Sequence, residues 1–375
     1  MMKILLLAGE ESGVLYAERI AGAIRGKDPA VEIRGYGDYG FKTGDLAVMG
    51  VGQVLRRIFY FLGVKRTMER AIDEWKPDVV CTVDYPGMNL KLAAYAKARG
   101  IRTVHVVCPQ VWAWKRGRIP KIEASLDKLC CFFPFEPKLF KPGFAEFVGH
   151  PLVDEMTVVP GGEGRKTEDG RRVLAILPGS RMGEIEKHLP TLLEVVEKLQ
   201  WEIADLKVVI PAANDRAYAA ITSQVARLKS SSCVGVTHGG ARAALRDADA
   251  AVVASGTATL EAALAGCPTV LVYRVGWLFA FLARRFIKGI RHIGLANIIA
   301  EKAGAACPMP ELLQEDFTVG NVLRQIRPWL ADAAANAAAR QALADTMKLL
   351  RSDGGAIARI LPALLSEREC APQTP

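Results

Sequence analysis

Ala250-Ala-Val-Val-Ala254, followed directly by Ser255-Gly-Thr-Ala-Thr-Leu-Glu261, is the stretch on which the fold turns. Five small or branched apolar residues are too few and too β-branched for a helix, and they suit a strand buried in a parallel sheet. Ser255-Gly256-Thr257 breaks that strand, and Thr257 is expected to N-cap a helix carrying Leu260, Ala263 and Leu264 on one face. Gly256 admits a ligand close to the backbone, while a new helix offers unpaired N–H groups and a partial positive charge. The pattern is a phosphate seat. Glu261, one turn in, points back to the same end and is placed for a ribose diol. The same residues also describe an ordinary strand–turn–helix, so the rest of the chain has to decide.

The chain has 375 residues, a length that predicts two domains with ample apolar chain for two cores. Half its residues are hydrophobic and 24% are charged, which excludes a disordered protein. A net charge of +9 invites a polyanion, an anionic membrane surface or a phosphorylated substrate, and clustering must choose among them. The eight cysteines show no metal-ligand spacing. Cys81, Cys108 and Cys130-Cys131 lie in apolar runs, as buried reduced thiols of a cytosolic protein do. Lys3–Leu7 flows into Gly9-Glu-Glu-Ser-Gly13 and is expected to be the first core strand rather than a secretion signal. No run reaches the roughly 20 apolar residues that a membrane span needs.

In the amino-terminal half a strand, a glycine turn over Gly9–Gly13 and a helix over Leu15–Ile24 begin a doubly wound domain. The turn lacks the third glycine of a dinucleotide fingerprint. Val79–Val83 is a further strand, with Asp84–Asn89 as the loop at its C-terminal end, the edge where α/β sheets bind ligands. Asp84 is therefore placed as a general base, and Asn89 reads as a cap for a helix over Leu90–Arg99. Thr103–Val107 carries His105 as a hydrogen-bonded core residue. The loop after it, Cys108 to Arg118, sets Trp112 and Trp114 beside three cations, which suits an amphipathic or anionic ligand. Val54–Arg66 clusters Phe59, Tyr60 and Phe61 with Arg56, Arg57, Lys65 and Arg66, and is expected to touch a membrane surface.

Val158–Gly170, rich in Gly, Pro and charge, is the expected linker. Beyond it, Arg172–Leu177 is a strand, Pro178-Gly-Ser-Arg181 a phosphate-facing turn and Glu184 the start of a helix. Arg181 offers a diphosphate the planar fork that lysine lacks. Asp247-Ala-Asp249 matches a metal-binding Asp-x-Asp only formally, because it precedes its strand and so falls at the wrong edge of the sheet. No metal and no cofactor are expected. Trp277–Lys288 is apolar nearly all round and ends in a basic cluster, so it is buried or lies in an interface.

Ordered along the chain, several motifs resemble the lipid-A-disaccharide synthase family, glycosyltransferases of GT-B fold. They are Ala8-Gly-Glu-x-Ser-Gly13, Leu46-x-Val-Met-Gly50, Asp84-x-Pro-x-x-Asn-Leu90, Gln110-Val-Trp-Ala-Trp114, Pro134-Phe-Glu136, Phe147-x-Gly-His150, Leu177-Pro-Gly-Ser-Arg181, Ser255-Gly-Thr-Ala258, Tyr273-Arg274, Asn297 and Pro310-Glu-Leu-Leu-Gln314. The resemblance implies an α/β chain of two Rossmann-like, doubly wound domains facing across a cleft. An acceptor- and membrane-facing domain would span residues 1–157 and a UDP-sugar domain residues 171–340, with helices at 341–375 returning to the first domain.

It also implies an inverting transfer that joins UDP-2,3-diacylglucosamine to 2,3-diacylglucosamine 1-phosphate in a β(1→6) link and releases UDP. The setting would be cytoplasmic, peripheral to the inner membrane and its anionic lipid. By resemblance Asp84 is the base on the acceptor hydroxyl. Gly179, Ser180, Arg181, Ser255, Gly256, Thr257 and Asn297 would hold UDP, with Glu261 and Gln314 nearby. Glu10, Ser12, Asn89, Trp112, Trp114 and Arg118 fall on the acceptor side. The family's Asp after the first glycine motif is Val14 here, and its second Asp in Asp-x-Pro-Asp is Gly87. The alternatives are a paralogue with an altered lipid, another UDP-sugar GT-B enzyme or UDP-N-acetylglucosamine 2-epimerase, and a non-catalytic membrane-bound UDP-sugar binder. Nucleic-acid binding fits least, since the cations accompany clustered apolar residues rather than a continuous basic stripe.

Overall fold

The computed structural model describes residues 1–41, 58–113, 116–156, 171–228, 231–276 and 291–365. The chain divides into two compact units, Met1–Asp154 with Leu350–Pro375, and Glu155–Leu349. Arg56, Arg57, Trp114, the Leu46–Gly50 motif, the expected linker at Val158–Gly170 and the segment Trp277–Lys288 lie outside the described residues.

The first unit is built on β1 (Lys3–Ala8), β2 (Glu32–Arg34), β3 (Val79–Val83), β4 (Arg102–Val106), β5 (Lys128–Cys131) and β6 (Ala145–Phe147). They pair in parallel in the order β2-β1-β3-β4-β5-β6. Alternation along β1 explains its unbroken apolar run. Ile4, Leu6 and Ala8 pack with Ala17, Ile20 and Ile24 of the helix Glu11–Lys27. Leu5 and Leu7 turn the other way, onto Val64, Met68 and Ile72 of the helix Ile58–Trp75. Ile360, Leu361 and Leu364 of the terminal helix Ala356–Leu365 join the first of these clusters.

The second unit repeats the plan with β7 (Arg172–Leu177), β8 (Leu206–Ala212), β9 (Val234–His238), β10 (Ala250–Ala254), β11 (Thr269–Tyr273) and β12 (Glu311–Leu313). Their order is β12-β11-β10-β7-β8-β9, again parallel. In each sheet the strand order reverses beside the first strand, so the crevices at the C-terminal ends open between β1 and β3 and between β7 and β10. The opposite edge of the second sheet is tied by polar groups. Asp249 accepts the Val173 N–H at 2.8 Å, while Asn336 and the buried Arg340 donate to the carbonyls of Asp249, Ala248 and Gly266. Those bonds hold the helix Ala333–Lys348 in the second unit, so the expected boundary at 340/341 falls within a helix.

Several element starts differ from expectation. The first helix begins at Glu11 rather than Leu15, because Glu10 in extended backbone already serves as its N-cap. The loop after β3 is only Asp84-Tyr85, since Pro86 sits at N1 of the helix Pro86–Lys97, where its fixed φ and missing N–H cost nothing. The helix after β7 starts at Met182, not Glu184. Thr257 is the first residue of its helix and not the cap; Gly256, at φ 153° and ψ −166°, takes the cap position and offers no side chain there.

Candidate functional site

In the first unit the chain leaves β3 through two consecutive left-handed residues, Asp84 at φ 50° and Tyr85 at φ 49°. Such backbone costs about 1–3 kcal/mol per residue and persists only where neighbours over-determine it. Here they do. Asp84 N–H donates to the Val106 carbonyl at 2.9 Å, and the Asn89 amide donates to the carbonyls of Asp84, Val83 and Leu7 at 2.8, 3.2 and 3.2 Å. Tyr36 completes the brace by donating its hydroxyl to Asn89 Oδ1 at 2.8 Å. Asn89 is fully buried, so it neither caps a helix nor meets an acceptor; it holds the turn that presents Asp84.

The half-buried Asp84 carboxyl is raised above the ordinary aspartate range by burial, against which the Tyr85 N–H bond to Oδ1 at 2.8 Å works. Glu10, at the end of β1, is exposed as a residue, yet its carboxyl is also raised, first by partial desolvation and then by the like charge of Asp84. Two acids therefore share the switch point of this sheet. Ser12 is exposed in the first turn of the helix that follows.

Farther along the sheet, Trp112 donates its indole N–H to Glu136 at 3.1 Å and meets Phe135 edge-on. Glu136 is buried, accepts the Phe133 N–H as well, and is pushed up to about 8 by desolvation. Cys108, Cys131 and Glu136 bring their ligand atoms within 4.8 Å of one another, a convergence that linear spacing conceals because Cys108 follows β4 and Cys131 ends β5. Arg118 is half-buried, at the end of a short turn before the helix Ile119–Ser125.

In the second unit the ends of β7 and β10 are neighbours, with Val253 opposite Leu177. The turns that follow them therefore line one cavity of about 340 Å³, which includes Gly179, Ser180, Arg181, Ser255, Gly256 and Thr257. Gly179 is at φ 121°, and a Cβ there would meet Glu184 Cβ at 2.6 Å. That close approach lets Glu184 pair with Arg181 Nη1 at 2.9 Å, which orients a guanidinium that stays 58% exposed. No side chain caps the helix Thr257–Leu264 at Gly256, so its first turn presents N–H groups toward the cavity. The arrangement sets one cation beside an open helix start, the groups that a diphosphate would need.

Three expected UDP residues stand apart from this lining. Glu261 accepts from Arg242 Nε at 2.8 Å, and Arg242 also bonds Glu155. Asn297 is buried, with its amide committed to Met309 N–H, Met309 carbonyl and Glu311. Gln314, at φ 52°, lies with its amide 3.3 Å from both backbone groups of Val275, which pair with it once the amide oxygen and nitrogen are exchanged. Asn297 and Gln314 thus tie to backbone beside β11 and β12, and neither is among the residues that line the cavity.

A family model described as "Lipid-A-disaccharide synthetase" matches residues 4–354. Lipid-A-disaccharide synthase of Burkholderia pseudomallei is 37% identical over 84% of both chains, and that of Trichlorobacter lovleyi 32% over 97% of both. The chain belongs to the lipid-A-disaccharide synthase family. It is a glycosyltransferase of lipid A biosynthesis, with the α/β GT-B fold that the motifs implied. Solved structures similar in fold include S. aureus MnaA with UDP (TM-score 0.63, 13% identity, 97% and 96% of the two chains). UDP-GlcNAc 2-epimerase of Neisseria meningitidis bound to UDP-GlcNAc is similar too (TM-score 0.63, 12% identity, 97% and 100%). At such identities the likeness is one of fold.

The aromatic cluster expected at a membrane divides in two. Tyr60 and Phe61 pack on the core beside Val64 and Met68, with Tyr60 edge-on to Phe41 and to Phe61. Helical phase is the cause, since residues three and four apart share the inward face. Phe59 is 84% exposed and Leu62 43%, while Lys65 is paired with Glu69. The large apolar side chains that this helix exposes are Phe59 and Leu62, not the triplet Phe59–Phe61. No described helix is long and apolar enough to cross a membrane.

Proposed function

We propose that the chain joins UDP-2,3-diacylglucosamine to 2,3-diacylglucosamine 1-phosphate, forming the β(1→6) disaccharide 1-phosphate and UDP. The observation that carries this is the single cavity lined by both the Pro178–Arg181 and Ser255–Thr257 turns. Asp84 takes the proton from the acceptor hydroxyl as its oxygen attacks the anomeric carbon. The bond from that carbon to the diphosphate breaks, and UDP leaves with the electron pair. Arg181 and the helix start at Gly256 stabilise the charge that develops on the departing diphosphate. Glu10, Ser12, Trp112 and Arg118 remain the acceptor-side candidates in the first unit. UDP release that requires both lipids together supports the transfer; UDP release from the donor alone at the same rate contradicts it.

Arg181→Lys keeps the charge and loses the fork, so UDP should bind about tenfold more weakly, on the scale of one charge-assisted hydrogen bond. Calorimetry with UDP reads this directly, and unchanged affinity removes Arg181 from the diphosphate seat.

Substrates anchored by acyl chains oblige the enzyme to work at a lipid surface, as a peripheral protein of the inner membrane. The net charge of +9 and the exposed pair Phe59 and Leu62 support that reading. Binding to anionic vesicles should weaken as salt rises, and Phe59→Ser with Leu62→Ser should lower it severalfold at constant thermal stability. Equal sedimentation with vesicles for both proteins would put the contact elsewhere.

A further inference from the structure

His188 lies on the helix Met182–Glu202, two turns beyond the phosphate turn, and is fully buried. Both of its ring nitrogens are engaged by backbone from elements outside its own helix. Nδ1 is 2.8 Å from the Pro178 carbonyl, and Nε2 is 3.0 Å from the Arg274 N–H. A carbonyl only accepts and an N–H only donates, so the ring is the neutral tautomer with its proton on Nδ1. Pro178 opens the Pro178–Arg181 turn, and Arg274 follows directly after β11.

The ring thus joins the backbone of the turn after β7 to that after β11, two strands away across β10. Phe317 and Tyr273 enclose it at ring-centroid distances of 5.8 and 5.9 Å. Arg274 is itself held, its guanidinium 4.8 Å from the Phe317 ring centre and bonded to the Phe317 carbonyl.

We propose that neutral His188 is a positioning residue for the nucleotide-sugar donor, and that its protonation loosens the diphosphate-binding turn. The inference rests on reading that turn as the diphosphate seat. The titratable and charged groups facing the ring are Glu184 on its own helix, Arg274 and Tyr273 at the end of β11, and Arg181 through Glu184. Burial holds the imidazole below its usual value, which keeps it neutral through the physiological range. Protonation would put a second proton where Arg274 N–H now donates, so that bond would be lost and the two turns would part.

The test uses the full chain and a UDP-sugar as probe, because its diphosphate is esterified at both ends and does not titrate in this range. Wild-type affinity, read by calorimetry, should be flat near neutral pH and fall about tenfold on acidification. His188→Leu should bind about tenfold more weakly at neutral pH and lose the pH dependence. His188→Asn, whose amide N–H replaces Nδ1–H toward Pro178, should recover most of the affinity, again without the acid fall. Unaltered affinity and an unaltered pH profile in folded His188→Leu and His188→Asn would overturn the positioning role. A wild-type chain that binds no UDP-sugar would instead overturn the diphosphate seat on which the role rests.

Discussion

Asp84→Asn should lower turnover by roughly 10² or more while leaving UDP affinity unchanged, the usual scale for losing a general base. The asparagine Oδ1 can still accept the Tyr85 N–H, so the two left-handed residues keep their brace. Stability should hold or rise. Because the folded-state value of Asp84 is raised by burial, this carboxyl contributes stability only at low pH, and that contribution is lost as pH rises through the folded value. At neutral pH the ionised group therefore costs stability, and an amide removes the cost. The same shift moves the acid limb of kcat/KM: activity needs the carboxylate, so it should fall, as pH drops, at a value above that of an ordinary aspartate. Turnover within a few-fold of wild type, measured at saturating donor and acceptor, would exclude Asp84 as the base.

Gly179→Ala should be nearly as damaging, through binding instead of chemistry. Gly179 has φ 121°, a region alanine enters only with strain, and its new Cβ would lie 2.6 Å from Glu184 Cβ. Because Glu184 Cβ is fixed by its helix, the turn itself has to move, and the pairing of Glu184 with Arg181 is disturbed with it. A strain of about 1–3 kcal/mol confined to the seat corresponds to roughly ten- to hundredfold weaker UDP binding. The core below it, Leu174, Ile176 and Ile185, is untouched, so the melting temperature should fall only slightly. Affinity within twofold of wild type would mean that the turn does not hold the diphosphate.

Much of the fold was legible because buried parallel strands are short apolar runs ended by polar or glycine turns. Val79–Val83 and Ala250–Ala254 run over the residues expected of them, and each puts its turn at the ligand edge. Helix starts were harder to read. Pro86 and Gly256 take first-turn and cap positions by backbone geometry, without the side-chain cap that sequence reading looks for.

The roles of Asn89 and Asn297 were not legible at all. Their amides are used by Leu7 and Met309, partners supplied by neighbouring elements and invisible in linear order. Tyr60 and Phe61 looked like surface until helical phase turned them inward, leaving Phe59 outside. His188 sits in mid-helix among apolar residues, and nothing in its spacing announces two backbone partners from two different turns.

The transfer itself is read from its product. Purified enzyme would be given defined UDP-2,3-diacylglucosamine and 2,3-diacylglucosamine 1-phosphate, with mass spectrometry for composition and NMR for the new anomeric centre. The predicted result is one disaccharide 1-phosphate carrying the acyl chains of both substrates, linked β(1→6), with one UDP released for each. Donor hydrolysed or epimerised with no disaccharide formed would contradict the account.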